Sequence, residues 1–236
     1  IAAGLGSRLS PVSSGTPKLL IPIFGQRLID KILANCVEAE IENIVVVTGY
    51  KNHIIEDHLK TVQTSVGIET AYNPDWKLAN GVSVLAAQSL IPTDEDFMIS
   101  MSDHYYNSNL LKTIKTHSDD HAIASVGADY NISEIHDIDD GMKLKIDNAS
   151  NLVTAMSKNL IEYDAIDCGI FKCKYKFFDY LIKAKAKNEC SLSDACNILI
   201  NERTMGSINI KNCPWIDIDT PEALSFINEN PTKFKE

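Results

Sequence analysis

Ile1-Ala2-Ala3-Gly4-Leu5-Gly6-Ser7-Arg8-Leu9, followed by Pro17-Lys18, sets the architecture expected of this chain. An apolar start that runs into two glycines and an arginine reads as a strand ending in a tight loop. Glycine lets bare N–H groups approach an anion closely, and Arg8 and Lys18 add the charge that linked phosphates require. The spacing excludes two commoner phosphate loops: Walker A needs Gly-Lys-Ser/Thr at its end, and the dinucleotide fingerprint needs a third glycine. The stretch therefore predicts a triphosphate cradle lined by Ala2, Ala3, Gly4, Gly6, Ser7, Arg8 and Lys18. Ile1 falls inside the expected first strand, so a few apolar residues ahead of it would complete that element.

Outward from the cradle, apolar runs alternate with helical periodicity. Ile44 to Thr48, Ile68 to Ala71, Phe97 to Met101 and Ala122 to Val126 read as strands. Leu28 to Ala39, His53 to Lys60, Val82 to Leu90 and Asn109 to His117 read as helices. Such alternation predicts an α/β fold, a Rossmann-like α/β/α sandwich with a mostly parallel mixed sheet. In such sheets the loops at the strand carboxyl ends line the ligand crevice. From about Asp129 to Ile146 the pattern turns polar and acidic, and Met142 to Ile146 and Leu152 to Met156 predict a small antiparallel excursion. Helices return at Tyr175 to Lys187 and Leu192 to Arg203, with Ser191 or Ser193 as N-cap, and a last helix starts near Thr220-Pro221. One domain is expected over 1–236, with a nucleotide-binding half, 1–128, and an acceptor-binding and second metal-ligand half, 129–236.

The composition narrows the function. A chain of 236 residues with 44% hydrophobic content suits one sizeable soluble α/β domain. Its formal charge of -10, from 22 basic and 32 acidic residues, argues against a nucleic-acid surface. A triphosphate binder with that balance needs carboxylates that hold a divalent cation. The six cysteines show neither a Cys-x-x-Cys pair nor histidine spacing for zinc, and read as reduced thiols of a cytoplasmic protein. No apolar run approaches a membrane span.

Asp103 follows the apolar run Phe97 to Met101, where its carboxylate would face phosphates held by the first loop, although a turn aspartate before a helix reads the same way. His104 beside it would orient an acceptor or bond a neighbouring backbone group. Strand alternation in Trp215-Ile216-Asp217-Ile218-Asp219-Thr220-Pro221 puts Asp217 and Asp219 on one face, where like charges need a cation or a shared proton. Asp219 or Thr220 also reads as the cap of the following helix, so Asp217 is the first choice as ligand beside Asp103 and Asp219 is left either role. Asn80-Gly81-Val82-Ser83 is a turn into a helix whose glycine and small polar residues could meet a base.

These motifs together resemble the sugar- and alcohol-phosphate nucleotidyltransferases, whose signature reads roughly Leu-Ala-Ala-Gly-x-Gly-x-Arg-Leu followed by Pro-Lys. Ser100 to His104, Tyr163 to Phe171 and Trp215 to Pro221 narrow the resemblance to the inositol-1-phosphate cytidylyltransferases, a match that spans nearly the whole chain. Cys168 departs from that branch, which has threonine there, and Asn131 to Asp147 follows no shared pattern. The resemblance implies Asp103 and Asp217, with Asp219, as ligands of Mg2+, base recognition by Asn80, Gly81 and Ser83, and catalysis by Lys18, Arg8 and Asp103. Lys158 would take the acceptor's phosphate, and His104, Asp164 and Asp167 its other groups, since ionised carboxylates accept from the hydroxyls of a polyol. The implied substrates are CTP and a phosphorylated alcohol, inositol 1-phosphate first, with the product passing to a membrane CDP-alcohol transferase. Alternatives are another phosphoalcohol or phosphonate, a sugar 1-phosphate with a different base, and a nucleotide-sensing domain without turnover.

Overall fold

Strands and helices form close to where the sequence places them in the computed structural model, which describes residues 1–9 and 15–234. The strands are β1 (Pro22–Ile23), β2 (Gln26–Arg27), β3 (Asn43–Thr48), β4 (Gly67–Tyr72), β5 (Phe97–Ser100), β6 (His104–Tyr106), β7 (Ala124–Asp129), β8 (Lys143–Asp147), β9 (Leu152–Ser157), β10 (Ala165–Cys173), β11 (Met205–Asn209) and β12 (Trp215–Asp217). The helices are α1 (Leu28–Glu38), α2 (Asn52–Leu59), α3 (Asn80–Ala86), α4 (Ser108–Thr116), α5 (Phe177–Ala186), α6 (Leu192–Asn201), α7 (Pro221–Glu229) and α8 (Pro231–Phe234). The helix expected to reach Leu90 stops at Ala86 and continues as a 3-10 turn, Gln88–Leu90.

Local chemistry sets the helix starts. Leu28, Ile29, Ile32, Leu33 and Cys36 make a buried stripe along α1 at helical spacing. Ser191 caps α6 in a box with Asp194, each side chain bonding the other's backbone N–H. The Thr220 hydroxyl accepts from the Ala223 N–H and Pro221 takes the first turn of α7, so Thr220 and not Asp219 is the cap.

The chain divides into two compact units, each assembled from separated stretches. The first comprises Ile1–Lys77, Met101–Lys112 and Cys213–Glu236. In it β3 and β4 pair in parallel, Ala2 bridges Thr48 in parallel, and β6 pairs antiparallel with β12. Ala3 packs so tightly on Gly49 that a Cβ there would lie 2.8 Å from the Ala3 carbonyl and 2.4 Å from the Trp76 Cβ. Leu9, Ile23, Leu28, Leu33, Ile55 and Tyr106 fill its core.

The second unit, Leu78–Ser100 and Thr113–Asn212, is built on a six-stranded sheet in the order β5-β10-β7-β11-β9-β8. Here β7 and β11 run parallel, whereas β10 runs antiparallel to β5, β7 and β8, and β9 to β8 and β11. The α/β class with mixed pairing holds, and antiparallel pairing reaches beyond the expected excursion into β10. Val126, Ala128, Ile170 and Phe171 are buried. Strands covered on both faces read as continuous apolar runs whichever way they pair, so their direction leaves no trace in the sequence.

Candidate active site

The first unit gathers the charged residues of the cradle. Ala2 donates its N–H to the Val47 carbonyl at 2.8 Å, and Ala3 accepts from the Tyr50 N–H at 3.0 Å, which pins the entry to the loop. Gly4 is exposed, with open space around the position a Cβ would take. Gly6 has φ +62°, a conformation L side chains rarely adopt, and a Cβ there would come within 3.3 Å of the Lys18 Cβ. Ser7 and Arg8 follow in a 3-10 turn, Ser7–Leu9, closed by the buried Leu9. Lys18 opens a second such turn, Lys18–Leu20, anchored by the buried Leu19 and Leu20, and its side chain is only 11% exposed.

Sheet register brings the carboxylates to it. In the β6–β12 ladder His104 lies opposite Asp217, and the Ile218 N–H donates to the Asp103 carbonyl at 2.8 Å. The Lys18 ammonium lies 3.1 Å from Asp103 Oδ2 and 3.8 Å from Asp217 Oδ1, and it pairs with Asp219 Oδ1. The other Asp219 oxygen pairs with Arg8, whose side chain is half exposed. His104 Nδ1 is 3.0 Å from Asp103 Oδ1, and the His104 ring stacks on Trp215 with centroids 5.5 Å apart and planes within 2°.

The carboxylates of Asp103, Asp217 and Asp219 therefore face Lys18, with Arg8 on Asp219. Burial opposes ionisation of Asp103, but the hydrogen bond from His104 and the charge of Lys18 outweigh it and hold that carboxyl well below its usual range. Asp217 is pushed up by burial first and by the Asp103 charge second, against the pull of His104, Lys18 and Arg8. Its Oδ1 is buried without a hydrogen-bond partner. A buried acceptor left unpaired costs about 1–3 kcal/mol, and a cation relieves that cost. One ligand atom each from Asp103, His104 and Asp217 fall within 4.8 Å of one another. An oxygen-rich set with an orphaned buried oxygen fits a divalent cation.

The other sequence-predicted residues lie in the second unit. Asn80 Oδ1 accepts from the Leu192 N–H at 2.8 Å, at the start of α6. A Cβ on Gly81 would fall 2.5 Å from the Cys190 carbonyl, so this glycine lets α3 pack against the 190–191 backbone; Ser83 is buried. Lys158 pairs with Asp140 Oδ1 at 2.6 Å. Asp164 accepts from the Ile146 N–H at 2.8 Å and pairs with Lys145 at 3.2 Å, and these bonds lower its pKa. Asp167 accepts from the Gly169 N–H at 2.7 Å, beside the register shift in β10. Cys168 is fully buried against Gly127 and burial pushes its thiol well up.

Sequence reasoning missed His104 as a member of the donor set and Trp215 as the plate that orients it. The only available signal was the pairing of two short strands far apart in sequence.

Residues 1–134 match the model of the family described as nucleotidyl transferase. The chain is similar to a bifunctional IPC transferase and DIPP synthase of Rubrobacter xylanophilus, 28% identical over 97% of this chain and 50% of that protein. It is also similar to a UTP–glucose-1-phosphate uridylyltransferase of Haloferax volcanii, 28% identical over 94% of this chain and 90% of the relative. The chain thus spans about half the length of the bifunctional relatives it matches. Among solved structures, an inositol-1-phosphate CTP transferase from T. maritima aligns with TM-score 0.82 at 22% identity, covering 97% of this chain and 94% of that one, which establishes a shared fold.

Proposed function

Because this chain belongs to the nucleotidyl transferase family, we propose that it is a magnesium-dependent cytidylyltransferase that joins CTP to inositol 1-phosphate and releases pyrophosphate. The observation that carries the proposal is Lys18, held among Asp103, Asp217 and Asp219 beside the Gly4 to Arg8 loop, with the orphaned Asp217 Oδ1 at its side. The relatives' names support the acceptor and the base.

In this reaction a phosphate oxygen of the acceptor attacks the α-phosphorus of CTP in line, forming the new P–O–P bond as the bond to pyrophosphate breaks. A phosphate monoester is already anionic at neutral pH, so no general base is required, and catalysis reduces to positioning and charge stabilisation. Lys18 would bridge the α-phosphate and the incoming phosphate, while Arg8 and the Gly4 to Gly6 amides would hold the departing pyrophosphate. Asp103 and Asp217 would hold Mg2+, with Asp219 keeping Lys18 and Arg8 in place. The bound ion supplies charge neutralisation between the phosphates. We assign Lys158, Asp164 and Asp167 to the acceptor, His104 to orienting it, and Asn80, Gly81 and Ser83 to the base. Over 1–236 we propose one catalytic domain, its nucleotide-binding half 1–128 and its acceptor half 129–236. No described helix is long and apolar enough to cross a membrane; the six cysteines form no disulfide, and we place the protein's work in the cytoplasm.

A uridylyltransferase for a sugar 1-phosphate is the second reading, favoured by the relative that this chain matches along 90% of its length. Labelled nucleotide decides the chemistry: label from the α-phosphate of CTP should appear in the inositol product and label from the γ-phosphate in pyrophosphate. Label from the γ-phosphate in the acceptor would show a kinase instead and overturn the proposal.

A further inference from the structure

The Lys18 ammonium lies within 4 Å of carboxylate oxygens of Asp103, Asp217 and Asp219 alike. One ammonium thus serves three carboxylates, two of which are the first choices for holding a divalent ion. The Lys18 side chain is 11% exposed, and the buried Leu19 and Leu20 fix the turn it springs from. Asp217 Oδ1 lies 3.8 Å from it, too far for a hydrogen bond, and has no other partner. The arrangement neutralises the cluster without satisfying it.

We propose that Lys18 is a built-in competitor for the divalent cation: it holds the carboxylates while nucleotide is absent and releases them when phosphates draw the ammonium away. This rests on the cation reading of Asp103 and Asp217. An ammonium and a divalent ion cannot both occupy the middle of this carboxylate set without strong repulsion at short range. Phosphate oxygens are competing acceptors for Lys18, so nucleotide and metal favour each other's binding, and linkage makes that coupling reciprocal. The metal then loads with the nucleotide rather than ahead of it.

Mn2+ is the probe, followed by its electron paramagnetic resonance signal on the full chain, with and without CTP and with no acceptor present. Without CTP, Lys18→Met should bind Mn2+ roughly tenfold tighter or better than wild type, on the repulsion that Coulomb's law gives at such distances. Lys18→Arg, which keeps the charge, should stay weak. Arg8→Met removes a charge of the same sign, but one on a half-exposed side chain that water screens more than the 11% exposed Lys18, and should gain much less than Lys18→Met. Adding CTP should tighten Mn2+ binding to wild type more than to Lys18→Met. Equal Mn2+ affinity in wild type and Lys18→Met, or equal gains from Lys18→Met and Arg8→Met, overturns the competition while leaving the metal site standing. No Mn2+ binding by any of them, even with CTP, overturns the metal reading and the competition together.

Discussion

Gly6→Ala tests the link between the loop's backbone and its chemistry. Gly6 has φ +62° and the position of a Cβ there is 3.3 Å from the Lys18 Cβ. Forcing an L side chain into the left-handed region costs roughly 1–2 kcal/mol. For a chain of this size each kcal/mol moves the thermal midpoint by about 2–4 °C, so a fall of roughly 2–8 °C is expected. The contact also forces the Lys18 stem to give by a few tenths of an ångström. A 1 Å misplacement can cost about a hundredfold in rate, so turnover should fall about three- to tenfold. Gly4→Ala is the control: nothing lies within 4 Å of its Cβ position, and its melting should match wild type. Thermal unfolding followed by tryptophan fluorescence, together with pyrophosphate release, reads both quantities. A Gly6→Ala protein that melts and turns over like wild type would refute the coupling of this turn to Lys18.

Three further outcomes can be checked with single substitutions. Gly81→Ala would drive a methyl into the Cys190 carbonyl at 2.5 Å, a backbone group that cannot swing aside, and overpacking of this kind costs roughly 1–3 kcal/mol; melting at the wild-type temperature would show that α3 does not pack this closely. His117 has a buried Nε2 without a hydrogen-bond partner, and burial, then the Lys172 charge, lowers its pKa against the opposing pull of Asp119. Its neutral form is therefore favoured in the folded chain, so its contribution to stability is full above the unfolded pKa of about 6.5 and is lost as pH falls below it. His117→Gln should flatten that acid limb in melts between neutral and acidic pH, and an unchanged limb would assign the loss to other groups. Lys158→Met should raise the KM for the phosphorylated acceptor about tenfold or more while leaving the KM for CTP near wild type, as loss of one charge-assisted contact predicts; equal rises in both would remove Lys158 from the acceptor.

Much of the fold was legible because its signals are local. The stripe on α1, the capping residues Ser191 and Thr220, and the Ile44 to Thr48 run each depend on neighbours a few positions away, and the elements formed there. Strand direction in the second unit was not legible, because β10 is buried on both faces and pairing leaves no period of its own. Within the cluster, residue types were legible and their partnerships were not. Asp219 was ambiguous between ligand and cap until Thr220 took the cap and Asp219 paired with Lys18 and Arg8. The alignment of His104 with Asp217 depends on a three-residue ladder, too short to announce itself in sequence. Asn80 illustrates the converse: its turn was legible, but its bond to the Leu192 N–H joins residues that only the tertiary fold brings together.

Pyrophosphate release with Mg2+, measured across the common nucleoside triphosphates, each paired with inositol 1-phosphate, glucose 1-phosphate, phosphocholine and 2-aminoethylphosphonate, decides which substrates this site takes. Selective turnover of CTP with inositol 1-phosphate, lost in Asp217→Ala and Lys18→Ala, is the predicted result. Turnover of UTP with glucose 1-phosphate in preference to that pair would contradict it and establish the uridylyltransferase reading.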